Sequence, residues 1–288
     1  MNGPVLALLS ALASGLSVVL VSKYSKKSNA FNVSLVITCV GTVILWPLAV
    51  LLTDLGSANL EGLILFAIGG VLSPGLVRLL YYRGLRMVGT SVNSSIFSIY
   101  PLYASLLAVL MLNEILSLEN WAGILCIVLG VVSVEMSSRE ISSGNRFARR
   151  DFIFPILGGL TFGVSSIIRK YALDAYNAPV MGVAVAHTFA LLPYLLMLML
   201  STSTRNELSL KRDLRFFWIA GIGQALSWIL SFYALSYEGV SIITPLLSVE
   251  PLFVAFFAYL YLKELERISP RLIASMILTV LGVILVIT

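Results

Sequence analysis

The chain has 288 residues, of which 59% are apolar and only 11% charged, against about 25% charged in a soluble domain. That excludes a soluble globular domain and points to an integral membrane protein. Its 19 basic and 14 acidic residues stand between hydrophobic runs, so the net charge of +5 reads as basic loops at a membrane face; no nucleic-acid partner is expected.

A membrane-crossing helix needs about 20 mostly apolar residues. Ten such segments are predicted, over 4–22, 31–53, 62–83, 89–112, 118–137, 151–172, 178–200, 214–237, 240–262 and 270–288. The fold class expected is therefore an all-α membrane protein with the lipid bilayer as its surroundings. Val5–Val21 has no basic stretch before it and reads as a retained first helix. Ala7, Ala11 and Gly15 recur there at helical spacing, as Gly159 and Gly163 do in the sixth segment, which lets backbones approach closely. Cys39 and Cys126 lie inside apolar runs without paired spacing and read as small buried residues. Trp46 and Pro47 predict a kink in the second helix.

Polar groups inside the hydrocarbon layer are costly, so each needs a reason. Arg78 follows Pro74 by four residues in the third segment, with Tyr81 and Tyr82 a turn later. It either clamps a carboxylate through two parallel hydrogen bonds or snorkels to the interface beside Arg83 and Arg86. The fourth segment carries Ser94, Ser95, Ser98 and the pair Tyr100-Pro101. His187, the single histidine, sits in the middle of the seventh; such a residue is more often an interhelical hydrogen-bonder than a proton relay. Gln224, Trp228 and Phe232, spaced by four, make one polar and aromatic stripe on the eighth, suited to a ligand or to packing. Glu250 precedes Pro251 in the ninth. Two readings fit it: a protonated glutamate bonded to a neighbouring helix, or a site for a substrate amine or a proton. Lys23 and Lys170 end the first and sixth segments and read as snorkelling anchors. The candidate substrate-binding set is thus Arg78, Tyr82, Ser98, Tyr100, His187, Gln224, Trp228 and Glu250.

The chain repeats itself. Residues 82–114 and 232–264 superpose with a shift of 150, which brings Gly89 onto Gly239, Ser98 onto Ser248, Tyr100 onto Glu250, Pro101 onto Pro251 and Glu114 onto Glu264. The run from Gly15 to Tyr24 likewise resembles that from Gly163 to Tyr171 with one gap. Two halves follow, 1–137 and 151–288, joined by the polar stretch 138–150. Five helices per half is an odd number, so the halves are expected to be inverted in the membrane. All of the 19 Lys and Arg except Arg169 and Lys170 fall to the loops after the first, third, fifth, seventh and ninth segments, when Arg78 is given to its nearest loop. Those loops are expected inside and both termini outside.

Tyr82, Leu85, Gly89, Pro101, Glu114, Gly123 and Gly130, with Tyr233, Ala234, Leu235, Gly239, Pro251, Glu264 and Gly282 in the second half, resemble the ten-helix EamA type of the drug/metabolite transporter superfamily. The resemblance implies two inverted five-helix repeats around a central cavity. It implies export of small metabolites by alternating access, amino acids foremost. Sugar-nucleotides, phosphorylated metabolites or drug-like cations are the alternative cargo. Members are usually drawn with both termini in the cytoplasm, the reverse of the charge count. No H-E-x-x-H, G-x-S-x-G or Walker sequence occurs, so neither an enzyme nor a cofactor or metal is expected. A monomer in the cell membrane, with a small molecule as its only partner, completes the expectation.

Overall fold

The computed structural model describes residues 2–24, 28–88, 90–137, 149–262 and 270–288. Gly89, Lys263, Glu264, Arg267 and most of the 138–150 connection lie outside the described residues. The ten apolar segments are helical. They are α1 (Gly3–Tyr24), α2 (Ala30–Leu52), α3 (Leu60–Val88), α4 (Thr90–Phe97 followed by Tyr100–Met111) and α5 (Leu118–Ser137). The second half gives α6 (Ile153–Ala175), α7 (Pro179–Leu200), α8 (Leu210–Tyr237), α9 (Val240–Leu247 followed by Glu250–Leu262) and α10 (Pro270–Ile287). By length and composition eight of them are able to cross a membrane, and α5 and α10 carry the shorter apolar stretches Leu118–Val134 and Ile273–Ile287. The protein is an all-α membrane protein.

Local sequence sets the starts and the breaks. Asn29 and Asn59 accept hydrogen bonds from the backbone of Asn32 and Gly62, satisfying donors that a helix start leaves open. α2 continues through Pro47 as one helix. The fourth and ninth segments are each interrupted, although their apolar runs predict continuous helices. Tyr100-Pro101 and Glu250-Pro251 each open a second helical piece after a turn at Ser98-Ile99 or Ser248-Val249. Proline has no N–H to donate and its fixed φ suits the first turn of a helix, so it starts a new piece here. α3 is irregular over Val71–Leu76, with Ser73 at the non-helical φ −143, ψ 124 before Pro74.

Packing joins the halves at every level. α1 lies along α8 and α9, α2 along α7 and α8, α3 along α6 and α7, α4 along α6 and α9, and α5 along α10. Gly123 and Gly282 are in mutual contact: a Cβ on either would lie 2.8 or 2.7 Å from the other's carbonyl oxygen, so α5 and α10 meet backbone to backbone. The two ends of the bundle differ. At the end bearing the termini, one large apolar cluster fills the interior, with Phe66, Ala104, Ile167, Phe232, Leu235 and Ile243 all buried. At the basic end, which carries the α1–α2, α3–α4 and α7–α8 connections, two small clusters form among the described residues, around Phe217 and Tyr194.

Candidate functional site

A cavity of about 510 Å³ runs from the middle of the bundle to the basic end. Its walls come from α1, α2, α3, α4, α6, α8 and α9. On one side the irregular turn at Ser73-Pro74 frees a stretch of α3 just before Arg78. Arg78 does not reach for headgroups; it lines the cavity and donates from Nη1 to Thr38 Oγ1 at 3.0 Å. A turn on, the Tyr82 hydroxyl is hydrogen-bonded to the Ser34 hydroxyl. An aromatic wall follows: the Tyr81 and Phe97 rings are 5.2 Å apart, Phe97 and Tyr100 5.5 Å, and Tyr100 and Phe162 4.4 Å.

Across the cavity, Ser14 Oγ donates to Gln224 Oε1 at 3.4 Å. Trp228, one turn further along α8, is 9% exposed and lines the cavity. Its indole Nε1–H has no acceptor among the described residues. At the inner limit the two interrupted helices meet the cavity through Ser98 and Tyr100 from α4 and through Ser248, Glu250 and Pro251 from α9. Among the described residues, Arg78 and Glu250 are the only acidic or basic side chains on the wall. Among the described residues no cluster able to hold a metal ion occurs.

Arg78, Tyr82, Ser98, Tyr100, Gln224, Trp228 and Glu250, named from sequence, are thus brought to one cavity. His187 is not. It is 1% exposed, with Nδ1 at 3.1 Å from the Val183 carbonyl. Its ring meets Trp228 at a centroid distance of 5.8 Å, one layer behind the wall. The cause is that α7 packs behind α2 and α8 and contributes no lining residue.

Sequence reasoning named Arg169 only as a possible base for a phosphorylated cargo and left it out of the candidate set. It was counted as a loop charge with Lys170, yet both point inward. Lys170 Nζ donates to the Leu235 carbonyl at 3.1 Å and pairs with Asp174 at 3.3 Å, so it does not snorkel as expected. Arg169 is 1% exposed. Its guanidinium carbon lies 4.9 Å from the Trp228 ring centre, 5.1 Å from Phe162 and 5.9 Å from Phe232. Among the described residues it donates only to the carbonyl and hydroxyl of Ser165, at 3.1–3.2 Å. The sequence shows only that Phe162, Ser165 and Arg169, spaced by three and four, share one helix face.

The terminal end is closed by a contact between halves. Asn113, at φ 53, adopts the left-handed conformation that asparagine tolerates and turns the chain after α4. Glu114 then accepts from the backbone N–H of Val240 at 2.8 Å and of Ser241 at 3.0 Å, and from the Ser241 hydroxyl. A carboxylate at a helix N-terminus is favoured by both the open donors and the helix dipole. A Cβ on Gly239 would lie 2.7 Å from the carboxyl carbon of Glu114, so glycine is required for this approach.

Comparison with known proteins agrees with this architecture. The model of the EamA-like transporter family matches twice, over residues 1–136 and 151–288. An uncharacterized transporter of Archaeoglobus fulgidus is 26% identical over 262 residues, covering 90% of this chain and 88% of that protein. A chloroplastic WAT1-related protein of Arabidopsis thaliana is 22% identical over 189 residues, covering 63% of this chain and 45% of its own. A solved crystal structure has the same fold, with a TM-score of 0.75 and 16% identity over 98% of this chain and 95% of that one. With two family matches that together span nearly the whole chain, the protein belongs to the EamA-like transporter family of the drug/metabolite transporter superfamily.

Proposed function

We propose that the protein is a secondary transporter of the cell membrane that exports small metabolites, amino acids foremost, by alternating access of two inverted halves. The observation that carries this reading is the pairing of one base and one acid, Arg78 and Glu250, on the wall of a cavity otherwise lined by aromatic rings, aliphatic side chains and hydroxyls. A zwitterion complements such a wall. Its ammonium group suits Glu250, its carboxylate suits Arg78, and its side chain lies against Tyr81, Phe97, Tyr100 and Phe162. A phosphorylated metabolite finds one guanidinium there and a carboxylate of its own sign. In this reading the structure faces the basic end, and the packed apolar cluster with the Glu114 turn closes the other. The test is counterflow into proteoliposomes across an amino-acid panel, with methyl esters and decarboxylated amines as controls. Saturable flux of an amino acid, lost when either charged end is masked, is expected. Absence of flux for every amino acid and related amine sinks the substrate class, and flux of a sugar phosphate instead replaces it.

A further inference from the structure

The two halves repeat in sequence, but several equivalent residues differ in whether they line the cavity. Some residues that line the cavity in the first half have partners in the second half that do not line it and are buried. Ser17 lines it, and Ser165, 148 residues later, is 0% exposed. Tyr82 and Ser94 line it, and their partners at the 150-residue shift, Phe232 and Thr244, are 0% and 1% exposed. Val21 and Ser22 line it, and the equivalent stretch of α6 holds Arg169. The buried partners lie together in the packed half, between the cavity floor at Trp228 and the Glu114 turn.

Arg169 stands out among them. A guanidinium buried away from water costs free energy that rings and one serine return only in part. Among the described residues it has no ion-pair partner. The two rings nearest it, Trp228 and Phe162, both line the present cavity, so it stands directly behind the floor. Beside it, Trp228 Nε1–H has no acceptor among the described residues. Two donors in one place, both short of acceptors, fit an anion better than they fit a core.

We propose that Arg169, with Trp228 Nε1, is the anion-binding group of the cavity that the proposed alternation opens to the terminal end. Resting on the amino-acid reading above, the anion is the carboxylate of the cargo. Arg78 holds that group while the protein faces the basic end, and Arg169 with Trp228 Nε1 receives it when the facing reverses. The repeat supports the exchange: the residue 150 positions after Arg78 is Trp228 itself.

The test uses thiol reagents and so does not depend on what is carried. In a background with Cys39 and Cys126 replaced by serine, Ser165→Cys or, separately, Thr244→Cys is placed in sealed vesicles. Impermeant anionic (sulfonatoethyl) and cationic (trimethylammonioethyl) methanethiosulfonates are applied from the terminal face. Both thiols are expected to react from that face. Arg169→Gln is expected to lower the anionic-to-cationic rate ratio about tenfold, the size of a close charge interaction of modest dielectric screening. Arg169→Lys, which keeps the charge, should retain most of the ratio and guards against a glutamine variant that does not fold. Failure of both thiols to react from that face overturns the proposal. So does an unchanged ratio in Arg169→Gln, or, if that variant does not fold, a wild-type ratio no higher than that of free cysteine.

Discussion

At the scale of single residues, a charge inside a membrane protein has to be matched by water, by a partner or by a task. Glu250 and Arg78 stood out in the sequence for that reason, because each is polar within an apolar run, Glu250 beside a helix-breaking proline and Arg78 one turn after one. Both line the cavity. Glu250→Gln keeps the side chain's volume and most of its hydrogen bonds and removes only the charge. Hydrogen bonds to charged groups contribute about 2 kcal/mol, so this variant is expected to insert normally and to lose at least tenfold in transport. Arg78→Ala should lose as much, whereas Cys126→Ser should change little. Wild-type transport by Glu250→Gln at every pH tested would make the glutamate a packing bond. Arg169 was illegible for a different reason. It lies near the end of its apolar segment, where an outward-facing and an inward-facing arginine have the same spacing and only the neighbouring side chains distinguish them.

At the scale of elements, the number and order of the helices were legible from apolar length alone, because a span must cover a fixed thickness. The interruptions in α4 and α9 were not. Proline inside an apolar run reads equally as a kink or as the first turn of a new helix, and the choice depends on what faces the gap. The Glu114 turn is the other element-scale device. Its carboxylate came from sequence as a repeat landmark, but its three hydrogen bonds to the start of α9 needed the left-handed turn at Asn113. Glu114→Ala removes all three, worth on the order of 3 kcal/mol together. That shifts a two-state balance of facings by on the order of 100-fold. Spin labels at the exposed positions Leu118 and Tyr237, at the closed end on different halves, are expected to show a new long-distance population in that variant. An unchanged distance distribution would mean that the turn is a static cap.

At the scale of the whole molecule, the charge count gains weight from the structure. Its two exceptions, Arg169 and Lys170, are not loop charges but inward-pointing ones, so the loops of the terminal end carry no Lys or Arg from the described residues that the count placed there. The basic end is then expected in the cytoplasm, the cavity opens to it, and both termini lie outside. Alkaline phosphatase fused after Thr288 should be active and a fluorescent protein at the same point dark. The opposite pattern would show that the orientation usual for the family overrides the local charges. The substrate was the least legible property, since it depends on the distance between side chains on different helices, which no spacing within one helix encodes.

The unequal filling of the two ends has an electrical consequence. Water in the open cavity carries the potential of the basic side down to Glu250, so the membrane voltage falls almost entirely across the packed half. A unit charge crossing the full drop gains or loses about 2.3 kcal/mol per 100 mV, and Arg169 sits within that drop. On the proposed reversal of facing, the insulating layer would move to the other end and Arg169 would come level with the outer solution. The guanidinium would then change its electrical position without changing its place in the protein, and the voltage would act on the direction of facing even with no cargo bound.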